Sequence, residues 1–113
     1  MRNLLFTILC LLSSAALAGT QVDASGTITS MRTQTTHHDT TSARGETIFQ
    51  ISGSLAAGCD YLSLEAGNDT AISFLLSAQA QSKAVRVWYY SDVKSTAWST
   101  ACRVANIELI WNP

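Results

Sequence analysis

Residues 68–91, NDTAISFLLSAQAQSKAVRVWYYS, decide the fold, because within them the hydrophobic period changes from that of a helix to that of a strand. Ile72, Leu75, Leu76 and Ala80 recur at i, i+3, i+4 and i+8, an apolar stripe that a helix must bury against a sheet or a partner. Ser73, Ser77 and Gln81 take other positions, so the helix is one-sided, and it is expected to end near Ser82. Asp69 or Thr70 is the expected N-cap, since a short oxygen-bearing side chain accepts a hydrogen bond from the free amides of a first turn. From Ala84 to Ser91 the pattern alternates. Val85, Val87 and Tyr89 lie opposite Arg86, Trp88 and Tyr90, as side chains do on a strand.

Working outward, the rest of the chain carries extended patterns. Gly26 to Gln34 (GTITSMRTQ) is rich in β-branched residues and is the expected first strand. Glu46 to Leu55 (ETIFQISGSL) is the second, with Gly53 marking a bulge or sharp bend. Asp60 to Ala66 is the third, Ala84 to Ser91 the fourth and Cys102 to Trp111 the fifth. Gly19 to Ser25 is a polar entry segment, Thr35 to Gly45 a Thr-rich connection, and Asp92 to Ala101 a polar loop carrying Trp98. The order β-β-β-α-β-β describes an all-β chain with one helix. A helix between the third and fourth of five strands is the arrangement of an OB-fold barrel, in which it plugs one end.

The amino terminus predicts export. Met1-Arg2-Asn3 is a short positive start, Leu4 to Leu12 an apolar core, and Ala16-Leu17-Ala18 a small-x-small cleavage site. The expected organisation is a signal peptide over 1–18 and one domain over 19–113, secreted or periplasmic. The apolar run is shorter than the about 20 residues that span a bilayer, so membrane insertion is not expected. Cys10 sits inside the apolar core instead of at its end, where a lipid-attachment cysteine belongs. Cleavage leaves Cys59 and Cys102, and a lone pair in a small exported chain is expected to form a disulfide. Closing so long a loop is worth about 4 kcal/mol in the chain-entropy model.

Composition excludes several function classes. Seven Lys and Arg against eight Asp and Glu give a formal charge of −1, with 13% charged residues in all. That balance lacks the basic excess of a nucleic-acid binder. At 113 residues the chain is too short for a two-domain enzyme. Adjacent His37 and His38, with Asp39, point in opposite directions on extended backbone and gain no third nitrogen or thiolate, so no metal is expected. Glu65 and Glu108 sit in ordinary alternation, and no G-x-S-x-G elbow is present. The expectation is a binding protein without cofactor, not an enzyme. Arg86, Trp88 and Tyr90, three large side chains on one face of a strand, suit sugar stacking and hydroxyl recognition or a subunit contact.

The element order, the export signal and the run SFLLSAQAQSKAVRVWYYSD (residues 73–92) resemble the B subunits of bacterial AB5 toxins, nearest to the subtilase-cytotoxin and pertussis-like branch. Val85-Arg86-Val87-Trp88-Tyr89-Tyr90 is similar to that family's V-R-[IV]-x-Y strand, Ser25-Gly26 to its Ser-Gly pair before the first strand, and Cys59 to its cysteine before the third. The resemblance implies an OB-fold subunit that forms a homo-oligomeric ring, binds sialylated cell-surface glycan and accompanies a catalytic A subunit. It further implies sugar contacts from Ser25 and Tyr90, with Asp23 as the flanking acidic residue at a spacing that departs from the family's. The alternative is a monomeric periplasmic OB-like module that binds or inhibits a protein. For the exported chain, intact-mass measurement and terminal sequencing should find Gly19 as the first residue; retention of residues 1–18 would remove the export reading.

Overall fold

The computed structural model describes residues 19–110. The expected signal peptide, Cys10 within it and Trp111 at the expected end of the last strand lie outside the described residues. The described chain is mostly β with one helix. Its strands are β1 (Gln21–Gly26), β2 (Ile28–Thr33), β3 (Thr47–Ile51), β4 (Tyr61–Leu64), β5 (Val85–Lys94) and β6 (Ala101–Leu109), with α1 (Asp69–Ala80) between β4 and β5. All six strands form one sheet in the order β1-β5-β6-β4-β3-β2. Neighbours pair antiparallel except β4 and β6, which run parallel.

The count is six strands, where the sequence pattern predicts five. The segment Gly19–Ser25, expected to be a polar lead-in, supplies β1, and Ser25 therefore lies within a strand instead of ahead of one. Its alternation is weak to the eye because the inward side chains are only Val22 and Ala24. Thr27 alone separates β1 from β2, so the two outer strands of the sheet order are the two halves of one bent segment.

Gly26 and Gly53 make this bend possible. A Cβ on Gly53 would overlap the Ser25 carbonyl oxygen, and one on Gly26 would collide with the Gly53 amide and the Ser52 side chain. The backbones can approach because neither residue has a side chain. The crossing is hydrogen-bonded: Ser52 N–H donates to the Thr27 carbonyl at 2.9 Å and Thr27 N–H to Ser52 Oγ at 3.0 Å.

The core lies between the inner faces of the strands and α1. Phe49, Leu62, Leu75, Val85, Val87 and Tyr89 are buried in it. Tyr89 keeps its polar end satisfied, its hydroxyl accepting the Ala56 N–H at 2.8 Å. Cys59 and Cys102 are joined, with 5.6 Å between their Cα atoms. The bond ties the loop before β4 to the start of β6.

Helix α1 departs from the expected stripe. Leu75 and Ala78 are its buried residues, while Leu76 is 50% exposed and Phe74 37%. Ala78 takes the place expected of Leu76, and its small side chain allows the helix backbone to come close to the core. The expected caps differ as well. The residue before the first turn is Asn68, and its side chain donates to the Glu65 carbonyl at 2.8 Å instead of accepting from the helix. Asp69 is in the first turn, where a negative charge meets the positive end of the helix dipole. At the far end Ser82 adopts a left-handed φ of 52° and Lys83 N–H bonds the Ala78 carbonyl at 2.9 Å, a Schellman-type closure. Gly53→Ala is expected to destabilise the domain by about 1–3 kcal/mol through forced overpacking at the bend, read as a lower urea midpoint.

Candidate ligand-binding face

Strand alternation brings the sequence candidates to one surface. In the β1–β5 register Gln21 lies opposite Tyr90, Asp23 opposite Trp88 and Ser25 opposite Arg86. Val22 and Ala24, with Val85, Val87 and Tyr89, turn to the interior. Asp23, Ser25, Arg86, Trp88 and Tyr90 consequently share the outward face of a two-strand ribbon, with β6 continuing it through Asn106 and Glu108, the partners of Trp88 and Arg86.

Arg86 organises the middle of this face. Its Nε donates to Asp23 Oδ2 at 3.0 Å, and its guanidinium lies 4.7 Å from the centroid of the Trp88 ring. The side chains of the pair are 46% and 44% exposed, so water screens the attraction and its net worth is about 0–1 kcal/mol. The consequence is geometric: the carboxylate holds the guanidinium over the indole, where the ring quadrupole also attracts it. Nε–H is the donor that Arg86 spends within the described residues, leaving further donors of its fork for an incoming acceptor.

Two open grooves flank the clamp. One, of about 500 Å³, runs between Trp88, Asn106, Glu108 and Phe74. The other, of about 590 Å³, is bordered by Gln21, Tyr90, Glu65 and Arg103. Tyr90 thus belongs to a concave surface, Trp88 to another, and Ser25 borders neither. Glu65 and Glu108, the two carboxylates open to pairing from sequence alone, border separate grooves.

Behind the Tyr90 groove is a charge network that sequence patterning does not single out. Glu46 is 2% exposed and accepts a hydrogen bond from Ser63 Oγ at 2.6 Å. Arg103 reaches Glu46 at 3.9 Å and Glu65 at 3.5 Å. A carboxylate so deeply buried requires such partners. The signal in the sequence is Glu46 heading the strand pattern ETIFQI; its partner 57 positions away follows only from strand order.

His38 serves its own loop: Nδ1 accepts the Thr40 N–H at 3.1 Å, and its carbonyl accepts Arg44 Nε at 3.0 Å. Among the described residues no three His, Cys, Asp or Glu side chains are grouped as metal ligands would be. No family model, curated protein or solved structure matches the chain.

Asp23 and Glu46, one exposed and one buried, predict stability effects of different size. Asp23→Asn, at an exposed pair, should shift unfolding free energy by less than about 1 kcal/mol. Glu46→Ala leaves Ser63 and Arg103 without their buried acceptor and should cost about 2–4 kcal/mol by urea titration.

Proposed function

We propose that this chain is an exported glycan-binding protein of the B-subunit type, built on an OB-fold barrel and assembling with copies of itself. Support for the barrel comes from counting β1 and β2 as one strand bent at Thr27. The sheet order then returns to its starting strand, with five strands and one helix between the third and the fourth. A parallel contact between the third and fifth strands accompanies it. OB-folds bind oligosaccharides and oligonucleotides, and the near-neutral charge of −1 favours the former.

The observation that carries the glycan reading is the shared outward register of Asp23, Ser25, Arg86, Trp88 and Tyr90. Such a face offers what a sugar needs: an indole beside an oriented guanidinium, a free serine hydroxyl and a tyrosine at the rim of a groove. Ser25 and Tyr90 act as hydroxyl partners in this reading, Arg86 as a donor to sugar oxygens held by Asp23, and Trp88 as the apolar wall.

Self-assembly has separate support. Beyond Arg103, β6 has no partner on its β4 side among the described residues. Val104–Ile107 there borders an open groove of about 360 Å³ with Phe74 and Ala71 of α1. An unpaired strand edge beside exposed apolar side chains is a surface that another strand can cover. The same edge also favours the second reading, a monomeric module that binds a different protein.

A glycan array probed with the purified chain from Gly19, together with light scattering, tests both parts. Binding to sialylated glycans is expected, weakened about two- to tenfold by Ser25→Ala or Tyr90→Phe, from a species several times the monomer mass. No glycan binding by a monomer would overturn the proposal and leave the protein-binding module.

A further inference from the structure

Another concave site lies away from the β1–β5 face, on the outer side of β2, β3 and β4, and its chemistry differs. Its volume is about 200 Å³, and Ser30, Arg32, Ile48, Gln50, Tyr61 and Trp98 line it. We propose that this pocket binds one carboxylate-bearing sugar ring, a uronic acid residue, with Trp98 and Tyr61 as the apolar walls and Arg32 as the partner of the carboxylate.

Among the described residues three arginines stand on the outer surfaces of the sheet, and two are paired: Arg86 with Asp23, and Arg103 with Glu46 and Glu65. Among the described residues Arg32 has no carboxylate within ion-pair distance, and none lines the pocket. Its guanidinium lies 5.5 Å from the centroid of the Trp98 ring. An arginine stacked on an indole keeps its in-plane N–H donors open to a carboxylate, which it can grip with two parallel bonds.

Polar groups beside it are oriented and incompletely used. Ser30 Oγ donates to Gln50 Oε1 at 2.8 Å, and Gln50 Nε2 donates to the Asp60 carbonyl at 3.3 Å. The second amide hydrogen of Gln50 and the lone pairs of Ser30 Oγ remain for sugar hydroxyls. The Tyr61 hydroxyl makes no hydrogen bond among the described residues, so it too is available.

The pocket is held in shape before any ligand arrives. Ile48, only 4% exposed although on an outward position of β3, forms its floor. Trp98 stands on a short loop pinned by the buried Ser95, whose Oγ accepts from Ala97 N–H at 3.2 Å and Trp98 N–H at 3.1 Å. Ala101 N–H closes that loop on the Trp98 carbonyl at 3.1 Å. Preorganisation of this kind lowers the entropy cost of binding. The volume is below the about 300–1,000 Å³ of pockets for drug-sized ligands, which limits the occupant to a single ring.

Titration calorimetry with methyl β-glucuronide, methyl β-glucoside and acetate, alongside the indole N–H resonances, tests the assignment. The glucuronide is expected to bind, to shift one tryptophan resonance that Trp98→Phe removes, and to lose at least about tenfold in affinity in Arg32→Gln. Arg32 is exposed, so that variant should keep the wild-type unfolding midpoint. Ser25→Ala and Tyr90→Phe should leave glucuronide affinity unchanged, which keeps this site distinct from the β1–β5 face. Equal binding of the glucoside would overturn the role of Arg32, equal binding of acetate would overturn the sugar, and an absence of any glucuronide binding would overturn both.

Discussion

The close approach of Gly26 and Gly53 is the constraint on which the rest of the molecule depends. Where these two backbones cross, the chain leaves its partner β5 and takes up β3 within a single intervening residue, Thr27. A side chain at either glycine would push the crossing strands apart. The crossing sets the register of β1 on β5 as well as that of β2 on β3. Since alternate residues point to opposite faces, a slip of one residue would turn Asp23 and Ser25 inward and Val22 and Ala24 out.

Each of the three arginines on the sheet has a different electrostatic setting. Arg103 is mostly covered and lies among Glu46, Ser63 and Glu65, where its charge balances a carboxylate that the fold has buried. Arg86 is exposed, and Asp23 steers it more than it stabilises it. Arg32 lies over an indole with no carboxylate within ion-pair distance among the described residues. The first setting is structural. The other two place a guanidinium with spare donors on the surface, one next to Trp88 and one next to Trp98.

For a domain of this size the core is small, built around Phe49, Leu62, Leu75 and the inward side chains of β5. Its marginal burial explains the value of the Cys59–Cys102 bond, which closes a separation of 43 residues. The bond joins the loop before β4 to β6, at the place where those strands make their brief parallel contact. Past that contact β6 pairs, among the described residues, with β5 alone, and α1 lies beside its open edge with Phe74 exposed.

Much of this was legible along the chain. The change of period at residues 68–91 located α1 and β5, and the inward set of β5 follows from its alternation. Cysteine count led to the bridge. Four features were not legible, for three reasons. β1 was hidden because its buried side chains are few and small. Leu76 belongs to the apolar pattern of α1 yet stays half in solvent, because Ala78 lets the helix dock closer on a neighbouring line. The Glu46–Arg103 network and the Arg32–Trp98 pocket each join residues from strands and loops distant in sequence. Local hydrophobic spacing therefore determined which segments are extended, which is helical and which side of each is apolar. Tertiary structure alone decided which strands lie side by side, since hydrogen-bonding edges are chemically alike and long-range contacts such as the crossing at Gly26 and Gly53 and the Cys59–Cys102 bond select among them.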